Sequence, residues 1–201
     1  MYQIFSIIGF LLALTVHEFM HAWTANYLGD PTAKHAGRVS LNPIAHIDLF
    51  GTILLPLVLI LSGSSIVFGW AKPVPINPNS FNNPRLGSAL TAIAGPIANL
   101  VLAIILAAIY QIPGFKGTLW GQFLIASITI NLVLMIFNLI PIPPLDGSKF
   151  FALFIPGLDN PKLDIYGPIL LLAFILVGGT RVIWPIVTFF MNILGINVGY
   201  Y

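Results

Sequence analysis

"YQIFSIIGFLLALTVHEFMHAWTANYL", residues Tyr2 to Leu28, is an apolar run that carries His17, Glu18 and His21 in its second half. A bilayer crossing needs about 20 predominantly apolar residues, so the stretch reads as a transmembrane helix. Gly29, Asp30 and Pro31 follow it, and glycine and proline end helices. The run has no positively charged start and continues unbroken through both histidines, so it is expected to be a retained span and not a removable leader.

The composition carries this reading to the whole chain. Of 201 residues, 58% are hydrophobic and 7% are charged, against about 25% charged in ordinary soluble domains. The expectation is one integral membrane domain over residues 1–201, with a motif-bearing core of about residues 2–150 and a C-terminal apolar region, 166–195. The net charge of +2 is small and its basic residues are scattered, which argues against a nucleic-acid partner. There is no cysteine, so the chain has no disulfide and no thiolate nucleophile, and any metal must rest on nitrogen and oxygen ligands.

Working outward, Leu86 to Ile112, containing "AGPIAN", reads as a second span, and Thr118 to Ile140, running into "NLIPIPPLDG", as a third. Between the first and second lie a polar stretch, Lys34 to Asp48, and a short apolar run, Leu49 to Gly63, with Pro56 near its middle. That run resembles a re-entrant or broken segment more than a full crossing. Next comes "VFGWAKPVPINPNSF", Val67 to Phe81, whose alternating apolar positions among Pro and Asn suggest an extended strand or hairpin at the membrane surface. Tyr166 to Leu194 is interrupted by "GGTR" and Pro185, giving one kinked span or two short legs. The expected fold is therefore an all-α polytopic membrane protein: a bundle of about 4–6 transmembrane helices, a re-entrant or short helix, and a small extended β-hairpin-like segment at the surface.

If Leu49 to Gly63 dips in and returns, then Lys34, Arg38, Lys72, Arg85, Lys149 and Lys162 share one face and only Lys116 takes the other. Lys and Arg in short loops favour the cytoplasmic side, so the amino terminus is expected outside. The first and third spans then run parallel, which can bring HEFMH and LDG to a similar depth.

Side chains four apart on a helix project from one face. His17 and His21 can therefore place two imidazole nitrogens on one cation, with Glu18 beside them, which is the H-E-x-x-H spacing of zinc hydrolases. Such a site takes three protein ligands and leaves one position open. The third ligand must come from His35, His46, Asp30, Asp48, Asp146, Asp159 or Asp164. Of these, Asp146 sits at the mouth of a span, after a proline-rich break that unwinds the helix end and lets a carboxylate turn inward. One zinc per chain on His17, His21 and Asp146, with Glu18 as the base, is the expectation. A solvated helix face can show HExxH by chance, but in lipid each ionisable group costs at least about 2.5 kcal/mol, so three together point to a functional site.

HEFMH in the first span, "AGPIAN" in the second and "NLIPIPPLDG" at the end of the third match, in order, the signatures of a known family. The chain resembles the site-2 proteases, intramembrane zinc metalloproteases, over roughly Val16 to Lys149. "GRVSLNPIAHIDLFGT" and "GWAKPVPINP" look like its compact prokaryotic branch, without a PDZ or nucleotide-sensing CBS domain. The resemblance implies hydrolysis of a peptide bond within or beside a transmembrane segment of another membrane protein, by an enzyme embedded in the bilayer of the cell membrane. It places His17 and His21 on the zinc-binding histidines, Glu18 on the catalytic glutamate and Asp146 on the third ligand.

It also places Asn138 on the motif's asparagine. That amide either donates to the substrate oxyanion or binds helix backbone. Gly95, Pro96 and Asn99 read as packing residues that let helices approach. Asn42, His46 and Asp48 either orient the zinc ligands or cap the short segment that follows, with direct ligation by His46 as a further alternative. Gly69 to Pro78 offers an edge for an extended substrate or a rigid interfacial loop anchored by Trp70. Two other classes compete: a small ion-handling transporter, and an inactive metal-binding scaffold. Intramembrane charge concentrated at one site disfavours the first, and retention of Glu18 disfavours the second. The sequence leaves the oligomeric state open.

Overall fold

The structure is a computed structural model and describes residues 2–62, 69–158 and 160–196. Its helices in chain order are α1 (Tyr2–Tyr27), α2 (Thr32–His35), α3 (Leu55–Leu61), α4 (Pro84–Tyr110), α5 (Leu119–Asn138), α6 (Asp146–Phe151), α7 (Pro161–Leu176) and α8 (Thr180–Ile193). Three of them, α1, α4 and α5, are long and apolar enough to cross a membrane, and the bent pair α7 and α8 makes a fourth crossing if it counts as one span. The protein is thus a multi-pass membrane protein, with three to four candidate spans among the described residues, at or below the lower end of the expected 4–6.

Local chemistry sets the ends of these helices. Gly29, at a φ of 105°, takes the left-handed conformation that ends α1. Asn83 caps α4 by accepting from Leu86 N, with Pro84 in the first turn, where its missing N–H is no loss. Thr118 caps α5 by accepting from Gly121 N. The prolines at 141, 143 and 144 stop α5 after Asn138.

α1, α4 and α5 pack against one another as the core, and α8 covers α5. Small residues are buried on both of these closely packed helices: Ala13, Ala22 and Ala25 on α1, and Ala89, Ala92 and Ala98 on α4. Lipid tails are as apolar as leucine, so close backbone approach and dispersion drive this association more than hydrophobicity does. Larger side chains fill the α4–α5–α8 side, where Leu106, Leu124, Ile128, Leu132, Val187 and Met191 form one buried cluster. His21 meets Thr91 near the start of α4, and Asp146 follows α5. These contacts make α1 and α5 parallel, with α4 antiparallel to both.

One expectation needs correction between α1 and α4. No β-hairpin is present among the described residues; Val67 and Phe68 lie outside them, and residues 69–77 form no strand. Pro73, Pro75 and Pro78 lack N–H groups and so cannot feed a ladder. The stretch is instead an extended strap. Trp70 N donates to Gly51 O at 3.2 Å and Lys72 N to His46 O at 3.0 Å, while Asn77 N donates to Asp30 Oδ2 at 2.6 Å.

The short apolar run, expected as a re-entrant or short helix, is a short helical segment with Pro56 inside it. A π-type helix, Leu49–Leu54, leads directly into α3, and Pro56 falls in the first turn of α3, where proline is tolerated. Gly63, the far end of the run, lies outside the described residues.

Candidate metal centre

The HEFMH turn of α1 places the His17 and His21 rings edge to face, with centroids 4.5 Å apart and planes at 85°. Asp146, the first residue of α6, reaches them from the other end of the chain. Its Oδ2 lies 3.1 Å from His17 Nε2 and 3.2 Å from His21 Nε2. Two glycines allow this convergence. A Cβ on Gly95 of α4 would stand 2.5 Å from His21 Nε2 and 2.7 Å from His17 Cε1, so only glycine lets α4 back onto the rings. A side chain on Gly147 would collide with the Leu139 and Ile140 carbonyls, so the LDG turn can fold over the end of α5 only with glycine after Asp146.

The remaining ring nitrogens face acceptors. His17 Nδ1 lies 2.5 Å from Asn99 Oδ1, and His21 Nδ1 lies 2.7 Å from the Thr91 carbonyl. Assigned from this network, both histidines donate from Nδ1 and turn the Nε2 lone pair inward. Two imidazole nitrogens and a carboxylate oxygen therefore converge within 4.8 Å of one another, and they need positive charge at their centre. Zinc fits: tetrahedral bonds of about 2.0–2.1 Å set ligand atoms about 3.3 Å apart, and N,N,O donors with outer acceptors behind the histidines are typical of zinc.

Glu18 is half-buried beside this cluster and acts electrostatically on both His21 and Arg38. Arg38 is 5% exposed. Its Nη1 donates to Ala45 O and its Nη2 to Lys72 O, so it ties the polar stretch to the strap. Asn138 Nδ2 donates to Leu134 O on its own helix at 2.9 Å, leaving its second amide proton unassigned.

The other candidate ligands stay away from the cluster. Asp30 accepts from Thr32 N, Thr32 Oγ1 and Asn77 N. Asn42 caps the 3₁₀ turn Pro43–His46, and Asp48 caps the π-type helix by accepting from Phe50 N and Gly51 N. His46 is buried, with Nε2 2.8 Å from Ser40 O. His35 and Asp164 are exposed, and Asp159 lies outside the described residues.

Asn99, which the sequence presents as a packing residue, touches a candidate ligand directly. A polar amide within an apolar span was the signal available for it. The Thr91 carbonyl had no such signal, because backbone groups leave no trace in side-chain identity.

Comparison with known proteins agrees with the geometry. The model of Peptidase family M50 matches residues 5–177. YwhC of Bacillus subtilis (strain 168), a zinc metalloprotease by name, is 40% identical over 89% of this chain and 84% of its own length. Rip2 of Mycolicibacterium smegmatis, also a zinc metalloprotease by name, is 30% identical over 70% of this chain, which spans about half (53%) of that relative. Rip2 of Mycobacterium tuberculosis (strain H37Rv) matches at 31% identity over the same shares. No solved structure matches. With a family model covering most of its length and a relative aligned nearly end to end, the chain belongs to peptidase family M50, the site-2 protease family of zinc metalloproteases.

Proposed function

We propose that His17, His21 and Asp146 hold the zinc ion and that Glu18 is the base in hydrolysis of peptide bonds within or near transmembrane segments of other membrane proteins. The observation that carries this is the meeting of His17 Nε2, His21 Nε2 and Asp146 Oδ2 from two distant parts of the chain, with Glu18 on the adjoining turn of α1. Zinc bound there supplies a water of pKa about 7 and a Lewis acid for the peptide carbonyl. Glu18 takes the proton as the water oxygen bonds to the carbonyl carbon, then gives it to the amine nitrogen as the C–N bond breaks. The histidines keep their Nδ1–H bonds to Asn99 and Thr91 throughout, so their orientation needs no rearrangement during the step. Asn138 is the candidate oxyanion donor through the amide proton not spent on Leu134 O.

Arg38 and Lys72 lie in the α2–α4 connection, Lys34 and Lys149 in the short helices α2 and α6, and Arg85 and Lys162 in the first turns of α4 and α7, whereas Lys116 lies in the α4–α5 loop. That asymmetry supports a cytoplasm-facing site.

The test is zinc content and cleavage of a model transmembrane substrate by the purified protein, with and without chelation. Bound zinc and chelator-sensitive cleavage are expected. A metal-free wild type, or cleavage indifferent to chelation, overturns the reading.

A further inference from the structure

A line of buried amides runs from the candidate ligands through all three core helices. His17 Nδ1 is 2.5 Å from Asn99 Oδ1. Asn99 Nδ2 donates to Asn131 Oδ1 at 2.8 Å and to Ala13 O at 3.1 Å. Asn131 Nδ2 donates in turn to Ser127 O at 2.9 Å. Both asparagines are completely buried, and the three side chains come from α1, α4 and α5 in turn. An amide inside a membrane bundle is costly unless its groups are paired, so two in series are not an incidental feature of packing.

The chain of bonds has a direction. Backbone carbonyls only accept, so Ser127 O draws the amino group of Asn131 and turns Asn131 Oδ1 towards Asn99. Asn131 Oδ1 and Ala13 O then take both amino protons of Asn99. Asn99 Oδ1 is left facing His17, which must donate from Nδ1 and keep its Nε2 lone pair for a metal ion shared with Asp146. Flipping either amide would set oxygen against oxygen. Ala13 O alone would hold Asn99 at one point, leaving the amide free to pivot; Asn131 supplies the second point that fixes its plane.

We infer that Asn131 is a positioning residue for the zinc site: through Asn99 it fixes the tautomer and orientation of His17. The inference rests on the proposed ligand set. It also makes α5 responsible for two of the ligands, Asp146 by chain continuation and His17 by hydrogen bonding. Loss of outer partners of a metal-bound histidine typically costs 10–100-fold in affinity or activity.

The test uses the full chain in detergent, with two readouts: the zinc dissociation constant by chelator competition, and the visible spectrum of the cobalt(II)-loaded protein. Asn131→Leu keeps approximate size and loses both polar contacts. It is expected to raise the zinc Kd about 10-fold or more and to shift the cobalt bands. Asn131→Asp is expected to return both towards wild type, because a protonated carboxyl supplies the same acceptor and donor.

Wild-type affinity and spectrum in Asn131→Leu overturn the inference. So does a loss that Asn131→Asp fails to restore, which would assign the residue to packing. Should Asn131→Leu not fold, histidine 15N shifts of the zinc-loaded wild type decide: the proton on His17 Nδ1 and the metal on Nε2 are expected, and the reverse overturns the inference. A wild type that binds no zinc instead refutes the ligand set itself, and this inference with it.

Discussion

His17 Nε2 and Asp146 Oδ2 stand 3.1 Å apart, although 129 positions separate the two residues in the chain. Each is ordinary in its local setting, one on a helix face and the other at the start of a short helix. Their meeting depends on α1 and α5 running parallel, on α5 ending at the prolines, and on Gly147 letting the chain turn back.

Replacing that carboxylate tests the ligand set most directly. Asp146→Ala is expected to weaken zinc binding by more than the roughly 10–100-fold that loss of an outer partner costs, as measured by chelator competition. Full zinc occupancy in the variant would remove Asp146 from the set.

Glu18 has a different signature, because a base is needed for chemistry and not for holding the ion. Glu18→Gln should retain zinc and lose cleavage of a model transmembrane substrate by about 100-fold or more. Metal analysis and the cleavage assay on one preparation separate these effects, and undiminished cleavage would exclude Glu18 as the base.

Gly95 is a packing prediction with a functional readout. A Cβ there would meet His21 Nε2 at 2.5 Å, so Gly95→Ala must displace a histidine ring or push α4 away. The overpacking should cost about 1–3 kcal/mol of stability and lower zinc affinity. A variant as stable and as tightly metallated as wild type would show that α4 does not back the rings this closely.

Asp30 gives a pH dependence outside the spans. Burial alone would raise its pKa, but hydrogen bonds from Thr32 Oγ1, Asn77 N and Thr32 N outweigh that and hold the carboxyl below the usual range. A depressed folded-state pKa contributes stability that is complete above the unfolded value of about 3.9 and lost as pH falls through the lower folded value. Asp30→Asn should therefore be less stable near neutrality by about 1–3 kcal/mol. Its stability should also fall less steeply than wild type below about pH 4; parallel acid-unfolding curves would contradict this.

Topology can be read chemically because the chain contains no cysteine. With a membrane-impermeant maleimide on intact cells, Lys116→Cys should label directly and Lys34→Cys only after permeabilisation. The reverse pattern would place the site on the outer face.

Much of this protein was legible in its sequence because the bilayer imposes strong, local rules. Apolar runs of sufficient length had to be helices: Gly29 marked the end of α1, and the runs Leu86 to Ile112 and Thr118 to Ile140 lie within two residues of the ends of α4 and α5. The i,i+4 spacing of His17 and His21 gave two ligands on one helix face, and the break before Asp146 marked a carboxylate able to turn inward. Other features depended on partners far along the chain. Residues 69–77 alternate like a strand, yet prolines and separate acceptors at His46 and Gly51 make them a strap. Arg38 counted in the sequence only as one of the basic residues of one face, and the structure adds that two carbonyls hold its guanidinium. Asn99 and Asn131 are single polar letters in apolar runs, and only the packing of α1, α4 and α5 joins them to His17. Helix periodicity is a property of neighbouring residues, so sequence alone determined the spans and the pair of histidines. Convergence of donors is a property of helices brought together, so only the tertiary structure brings Asp146, already marked in the sequence, up to the two histidines and joins the amides of Asn99 and Asn131 to His17.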